Sequence, residues 1–474
     1  MSQSEIALHW RDAGDLAADI RARRVSAVEV VGTFLDRIEE LDRHYHAFLH
    51  LVPRSEALAL AGQADAAVAR GEPTGLLHGL PIAVKDLMHV AGMPTTYGAG
   101  LPAEIARHDS LLAETLRKAG AIIIGKTNTP EQGLGTLTIN TLGPPTRNPW
   151  DISRHAGGSS GGAGAALASG MLPIADGSDS GGSIRYPAAL CNLVGLRPSP
   201  GRVPSGRTGN AWTPHGVLGP MARTARDAGL LLAAISGFDP RAPLSVEAPT
   251  RDYADIRPVD LAGLRVAWSP DLGGLPIDPD VRTVLAECRA QLVSLGCHVE
   301  DVALDMDRVD ECWEIIEMFN FFASCGADVA QHRDRLRPDL VRNVEQGGAL
   351  TASQIAWALA ERTGIFRRTA ALLERFDVLA CPATPIVAPP IARDWVAEID
   401  GTRFERYFDW QRCACRITMT AHPALSVPAG FSASGLPVGL QLVGRYRDEA
   451  GLLRQAAAID AATGFARRHP PGLA

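Results

Sequence analysis

Gly157-Gly158-Ser159-Ser160-Gly161-Gly162, a run of small residues, and then Ala175-Asp176-Gly177-Ser178-Asp179-Ser180-Gly181-Gly182-Ser183-Ile184-Arg185-Tyr186-Pro187-Ala188 form the most informative stretch of this chain. It places two serines, Ser159 and Ser183, in two glycine-rich turns. Glycine reaches backbone angles closed to other residues and lets chain or ligand approach closely. Successive N–H groups in such a turn can converge on an anion. That convergence is what an oxyanion hole needs to hold a tetrahedral intermediate. The competing reading is a flexible linker, because 129–220 is rich in Gly, Ser and Pro. Against it, Ala165, Ala166, Leu167, Met171, Leu172 and Ile174 predict a helix and a strand inside the segment. Ile184, Leu190 and Val194 also read as buried residues, which linkers rarely carry.

Upstream, Leu80-Pro81-Ile82-Ala83-Val84-Lys85-Asp86 reads as a short buried strand. Period two puts Ile82 and Val84 on one face, Ala83 and Lys85 on the other. Taken alone, Lys85 reads as an exposed lysine at a strand end. Three nearby patterns lack the context their chemistry needs. Gly120 to Thr127 fits G-x-x-x-x-G-K-T, yet its internal residues are themselves a strand rather than a loop around phosphate. His46 and His50 have helical metal-ligand spacing without a third ligand. Gly157 to Gly161 fits G-x-S-x-G, which requires a buried strand just before it, and residues 148–155 do not resemble one.

Elsewhere the chain alternates. Ser26 and Glu29 predict a capping box, with Val25 and Val30 as its staple, on a helix over 27–41. Helices are expected near 110–119 and 278–295, and strands near 121–124, 298–302 and 377–380. Residues 424–428 and 439–443 read as paired strands joined by a turn at 434–437. Interleaved strands and helices indicate an α/β layered architecture. With 474 residues, 46% hydrophobic and 21% charged, the chain can bury a large core. A net charge of -7 without long like-charged blocks argues against nucleic acid as the partner. There is no membrane-length apolar run and no signal-peptide core at the N-terminus. Eight cysteines without C-x-x-C spacing point to reduced thiols, hence a cytoplasmic location.

The run from Gly157 to Ala188 resembles the amidase-signature family, as do LPIAVKD (80–86), GKTNTPE (125–131), HPALSVPAGF (422–431) and GLPVGLQLVG (435–444). The resemblance implies one large α/β domain over 1–474 with a mixed central sheet between helices. Its parts would be a helical segment about 1–75, a catalytic core about 76–230 and a variable pocket region about 300–420. It implies Ser183 as nucleophile, Ser159 as the bridging serine, held in the family by a cis peptide bond, and Lys85 as base. It implies an oxyanion hole from the N–H groups of Ser180, Gly181, Gly182 and Ser183, and Gly133 in the acyl pocket beside Ser159. Asp179 and Arg185 are expected to brace the loop. The family often has threonine where Ser178 and Ser180 stand; serine keeps the hydroxyl.

The chemistry is coherent by itself. A serine hydroxyl needs a base to become a nucleophile. A lysine can be that base only when neutral, so its reference pKa of about 10.4 must fall, and burial is the commonest means. The implied function is hydrolysis of a small-molecule carboxamide, with no cofactor and no metal. Two alternatives stand beside it: the A-type component of a tRNA-dependent amidotransferase, and a Ser-His-Asp esterase using Ser159 with His215, His332 or His422. Substrate specificity is expected in 307–409, where Trp313, Phe319, Phe321, Phe322, Cys325, Phe408 and Trp410 are core or pocket candidates. Whether the chain forms a homodimer is left open.

Overall fold

The sheet that carries the site is built from strands distant in sequence. In this computed structural model, residues 6–206 and 210–473 are described. Eight strands lie side by side in the order His298–Asp301, Arg265–Trp268, Val378–Pro382, Pro437–Val443, Ala424–Phe431, Val194–Arg197, Val217–Ala222 and Ile174–Asp179. Arg265–Trp268 runs parallel to both its neighbours, and the remaining pairs are antiparallel, so the sheet is mixed. All but His298–Asp301 are buried along most or all of their length, as expected of a sheet covered on both faces. Helices Ala225–Ile235, Pro279–Ser294 and Glu449–Thr463 bury Leu231, Leu285 and Leu453 in the same core cluster as Leu196, Leu425 and Leu442. The chain folds as a single α/β domain with a mixed central sheet flanked by helices.

A second sheet of Phe48–Leu51, Ile122–Thr127 and Pro81–Lys85 meets this one at the strand Ile174–Asp179. There the Lys85 N–H donates to Asp176 Oδ1 at 3.1 Å. Pro81–Lys85 is therefore buried on both faces, and Lys85 is 1% exposed. The expectation of an exposed strand-end lysine is corrected: the second sheet, not the local sequence, decides its burial.

Local signals hold elsewhere. The helix opened by the Ser26–Glu29 capping box runs Ala27–Tyr45, beyond the expected end, and closes on His46 in a left-handed conformation. His50 lies on a strand, so the two histidines share no helix face. Gly125, Lys126 and Thr127 are strand residues, and buried Lys126 Nζ bonds Asp86 Oδ1 at 2.8 Å. Residues Asp151–His155 form a short strand, but not a buried one, as expected from sequence. It pairs with Arg147–Asn148, with a further bridge from Arg154 to Pro390, and is largely solvent-accessible, so it is not the buried strand a nucleophile elbow requires. No described helix is long and apolar enough to cross a membrane.

Candidate active site

The two glycine turns meet because the helix Gly161–Ala168 returns the chain directly into the strand Ile174–Asp179. That helix is wholly buried and, apart from Leu167, made of glycine and alanine. A Cβ on Gly162 would come within 2.3 Å of the Asn128 backbone nitrogen, so only glycine fits there. The turns are joined by a backbone bond, the Ser160 N–H donating to the Ser183 carbonyl at 3.1 Å. The Gly158–Ser159 peptide bond is cis.

Lys85 Nζ lies among three hydroxyls, at 2.7 Å from Ser159 Oγ, 2.9 Å from Ser160 Oγ and 3.0 Å from Ser178 Oγ. Ser159 and Ser183 both line an open cleft of about 600 Å³. Lys85 is thus screened from solvent by the serines it bonds, while Ser183, 7% exposed, reaches the cleft. Gly133 also lines the cleft, and a Cβ there would stand 3.5 Å from Ser159 Oγ.

Asp179 holds the turn that carries Ser183. Its carboxylate accepts from the Gly182 N–H at 3.0 Å, the Ile184 N–H at 3.2 Å and Arg185 Nη2 at 2.8 Å. Burial alone would raise the Asp179 carboxyl, but the charges of Arg185 and Arg197 and the N–H bonds outweigh it and hold it well below the carboxylate range. Arg185 extends the brace to Gln441 Oε1 at 2.6 Å and Thr418 Oγ1 at 2.8 Å. Gly182 has φ +108°, and a Cβ there would lie 2.5 Å from the Ala414 Cβ. Because the Gly182 N–H is bound to Asp179, the expected oxyanion donors narrow to three. The N–H groups of Ser180, Gly181 and Ser183 have no protein acceptor among the described residues, and all three residues line the cleft while Gly182 does not. Asp179→Ala is expected to lower stability by roughly 3–5 kcal/mol, since it strands buried guanidiniums. The shift of the denaturant midpoint measures this.

Several site residues were not singled out from sequence. Ser160 and Ser178 complete the hydroxyl shell of Lys85. Arg197 donates to the Asp179 carbonyl from the strand Val194–Arg197, which carries no recognisable motif. Asp176 is fully buried beneath Lys85, and its Oδ2 has no hydrogen-bond partner. Burial raises its pKa to about 6, although the Lys85 N–H and the charges of Lys85 and Lys126 oppose the shift. Of the aromatic candidates, Trp313, Phe408 and Trp410 are core, Phe322 is exposed, and Phe321 lines the cleft. Cys325 is buried in a small apolar cluster with Leu134 and Val344. No histidine among the described residues hydrogen-bonds Ser159 or Ser183. His215 Nε2 bonds Glu317 at 2.7 Å, and His422 Nδ1 bonds the Thr420 carbonyl at 2.7 Å.

Comparison with known proteins places this geometry. The family model described as Amidase matches residues 29–453. An acylamidase of Rhodococcus erythropolis is 35% identical over 471 residues, covering 98% of each chain. The A-type component of the glutamyl-tRNA(Gln) amidotransferase of Acidothermus cellulolyticus is 36% identical over 497 residues, covering 95% of this chain and 94% of that protein. The crystal structure of a bacterial aryl acylamidase of the amidase-signature family superposes with a TM-score of 0.90 at 28% identity, covering 98% and 99% of the two chains. With its fold, its paired serine turns and these relatives in agreement, the chain belongs to the amidase-signature family and is a hydrolase acting on amide C–N bonds.

Proposed function

We propose that this hydrolase cleaves a non-peptide carboxamide through an acyl-enzyme on Ser183, with Ser159 relaying the proton and Lys85 as base. The observation that carries this is the 2.7 Å bond between Lys85 Nζ and Ser159 Oγ, made out of solvent and beside the cleft that Ser183 lines. As Ser183 Oγ attacks the carbonyl carbon, its proton passes to Ser159 and the Ser159 proton to neutral Lys85. The N–H groups of Ser180, Gly181 and Ser183 are placed for the developing oxyanion. Return of the proton along the same path lets the amine leave, and water then releases the carboxylic acid. The segment divisions at about 1–75, 76–230 and 300–420 belong to the same proposal, as does a reducing cytoplasmic setting, which the eight buried free thiols support.

Incubation with a panel of linear, aryl and cyclic amides is expected to release ammonia or amine from at least one without any added protein. The similarity to an amidotransferase component supplies a second reading, in which ammonia passes to a partner. Failure across the panel, with turnover only after partner proteins are supplied, would favour that reading.

Asp176 gives the base a pH signature. Its charge beside Lys85 favours the ammonium and so opposes formation of the base. In Asp176→Asn that opposition is gone, so the acidic limb of kcat/KM is expected to move to lower pH. A full pH–rate profile of the variant checks this; an unmoved limb contradicts it.

A further inference from the structure

Among the described residues, the cleft carries one ionisable side chain on its lining, Glu317. It sits on the helix Val309–His332, whose face toward the cleft continues with Asn320, Phe321 and Ser324 at helical spacing. Glu317 Oε2 accepts from His215 Nε2 at 2.7 Å, and this is the carboxylate's hydrogen-bond partner among the described residues. The bond does not cancel its charge: burial lowers the His215 pKa more than Glu317 raises it, so the imidazole is neutral at neutral pH. The guanidiniums nearest His215 make no hydrogen bond to Glu317, although the charge of Arg197 is felt by it. Arg197 donates to the Asp179 and His215 carbonyls, and Arg362 to the Pro214 carbonyl. Among the described residues, no lysine or arginine lines the cleft. One turn beyond Ser324, Asp328 Oδ2 accepts from Gln132 Nε2 at 3.2 Å, and Gln132 is itself a cleft residue. Glu317 thus lines a polar cleft with Asp328 behind Gln132, and a partly desolvated carboxylate gains most from a cation that replaces its water.

We propose that Glu317 forms a cation subsite, so that the amide this protein hydrolyses carries a protonated amine alongside the scissile carboxamide. The inference rests on the cleft being the amidase site. Asn320 and Ser324 supply neutral acceptors beside the carboxylate, and Phe321 offers an aromatic face that attracts a cation as well.

The test uses paired substrates at pH 7. Each ω-aminoalkanamide of two to six carbons is matched with the alkanamide in which a methyl group replaces the ammonium. Phenyl-ring amides with and without an aminomethyl group form a second pair. For at least one pair, kcat/KM is expected to favour the cation by tenfold or more. Glu317→Gln keeps an acceptor for His215 and is expected to cut that ratio at least tenfold. Ser324→Lys, at an exposed position on the same face, places a competing cation in the cleft and is expected to reduce the ratio in the same direction. Equal or inverted ratios in every wild-type pair overturn the inference and leave the amidase reading intact, as does a ratio unchanged by both variants. No hydrolysis of any amide overturns the amidase reading, and the inference with it.

Discussion

Ser183→Ala is expected to lower kcat/KM by at least about 10⁴-fold on any amide the wild type cleaves. The loss follows from the division of labour in the site. Ser183 reaches the cleft and stands in the turn whose N–H groups are free to meet an oxyanion, a place it shares with Ser180; the family pattern is what assigns the nucleophile's role to Ser183. In the proposed mechanism no covalent intermediate forms without its Oγ, and the three proposed donors and the cleft would retain only binding and charge stabilisation. The fold should survive, because the turn is held by Asp179 and Arg185 and the Ser160–Ser183 link uses backbone atoms. Steady-state kinetics, with the circular dichroism spectrum and melting temperature as controls, check both halves.

Lys85→Ala is the second large effect, with an expected loss of about 10²–10⁴-fold, the usual contribution of a general base. Its three hydroxyl partners can then bond one another or water, so the cost falls on proton transfer more than on folding. The variant should also lose the acidic limb of the pH profile, if Lys85 is the titrating base as proposed. Wild-type-like turnover would remove Lys85 from the mechanism. Comparable loss in Ser159→Ala, with no slow acylation of Ser183, is expected of a relay, because neither base nor nucleophile can act alone.

What could be read from the sequence was what local chain chemistry determines. The Ser26–Glu29 box announced its helix, and the terminal hairpin pair came close to its observed extent at Ala424–Phe431 and Pro437–Val443. Ser159 and Ser183 were legible because glycine turns leave a compact signature. Lys85 was not legible from its own strand: its burial depends on the docking of a second sheet against Ile174–Asp179, a contact between segments far apart in sequence. The same distance hid Arg197, Glu317 and the hydroxyl of Ser160, each defined by a partner elsewhere. The Gly182 donor was assigned to the oxyanion because the turn offered four N–H groups, and only the position of Asp179 shows that one is occupied. The short strand Asp151–His155 leaves no apolar alternation to read, because Ile152 is exposed and polar His155 is buried.

The decisive measurement is the site of covalent capture. A fluorophosphonate probe reacts with an activated serine, and peptide mapping by mass spectrometry reports which one. The Ser-Ser-Lys arrangement predicts a single adduct on Ser183, abolished in Ser183→Ala and strongly slowed in Lys85→Ala. An adduct on Ser159, formed at undiminished rate in Lys85→Ala, would contradict it.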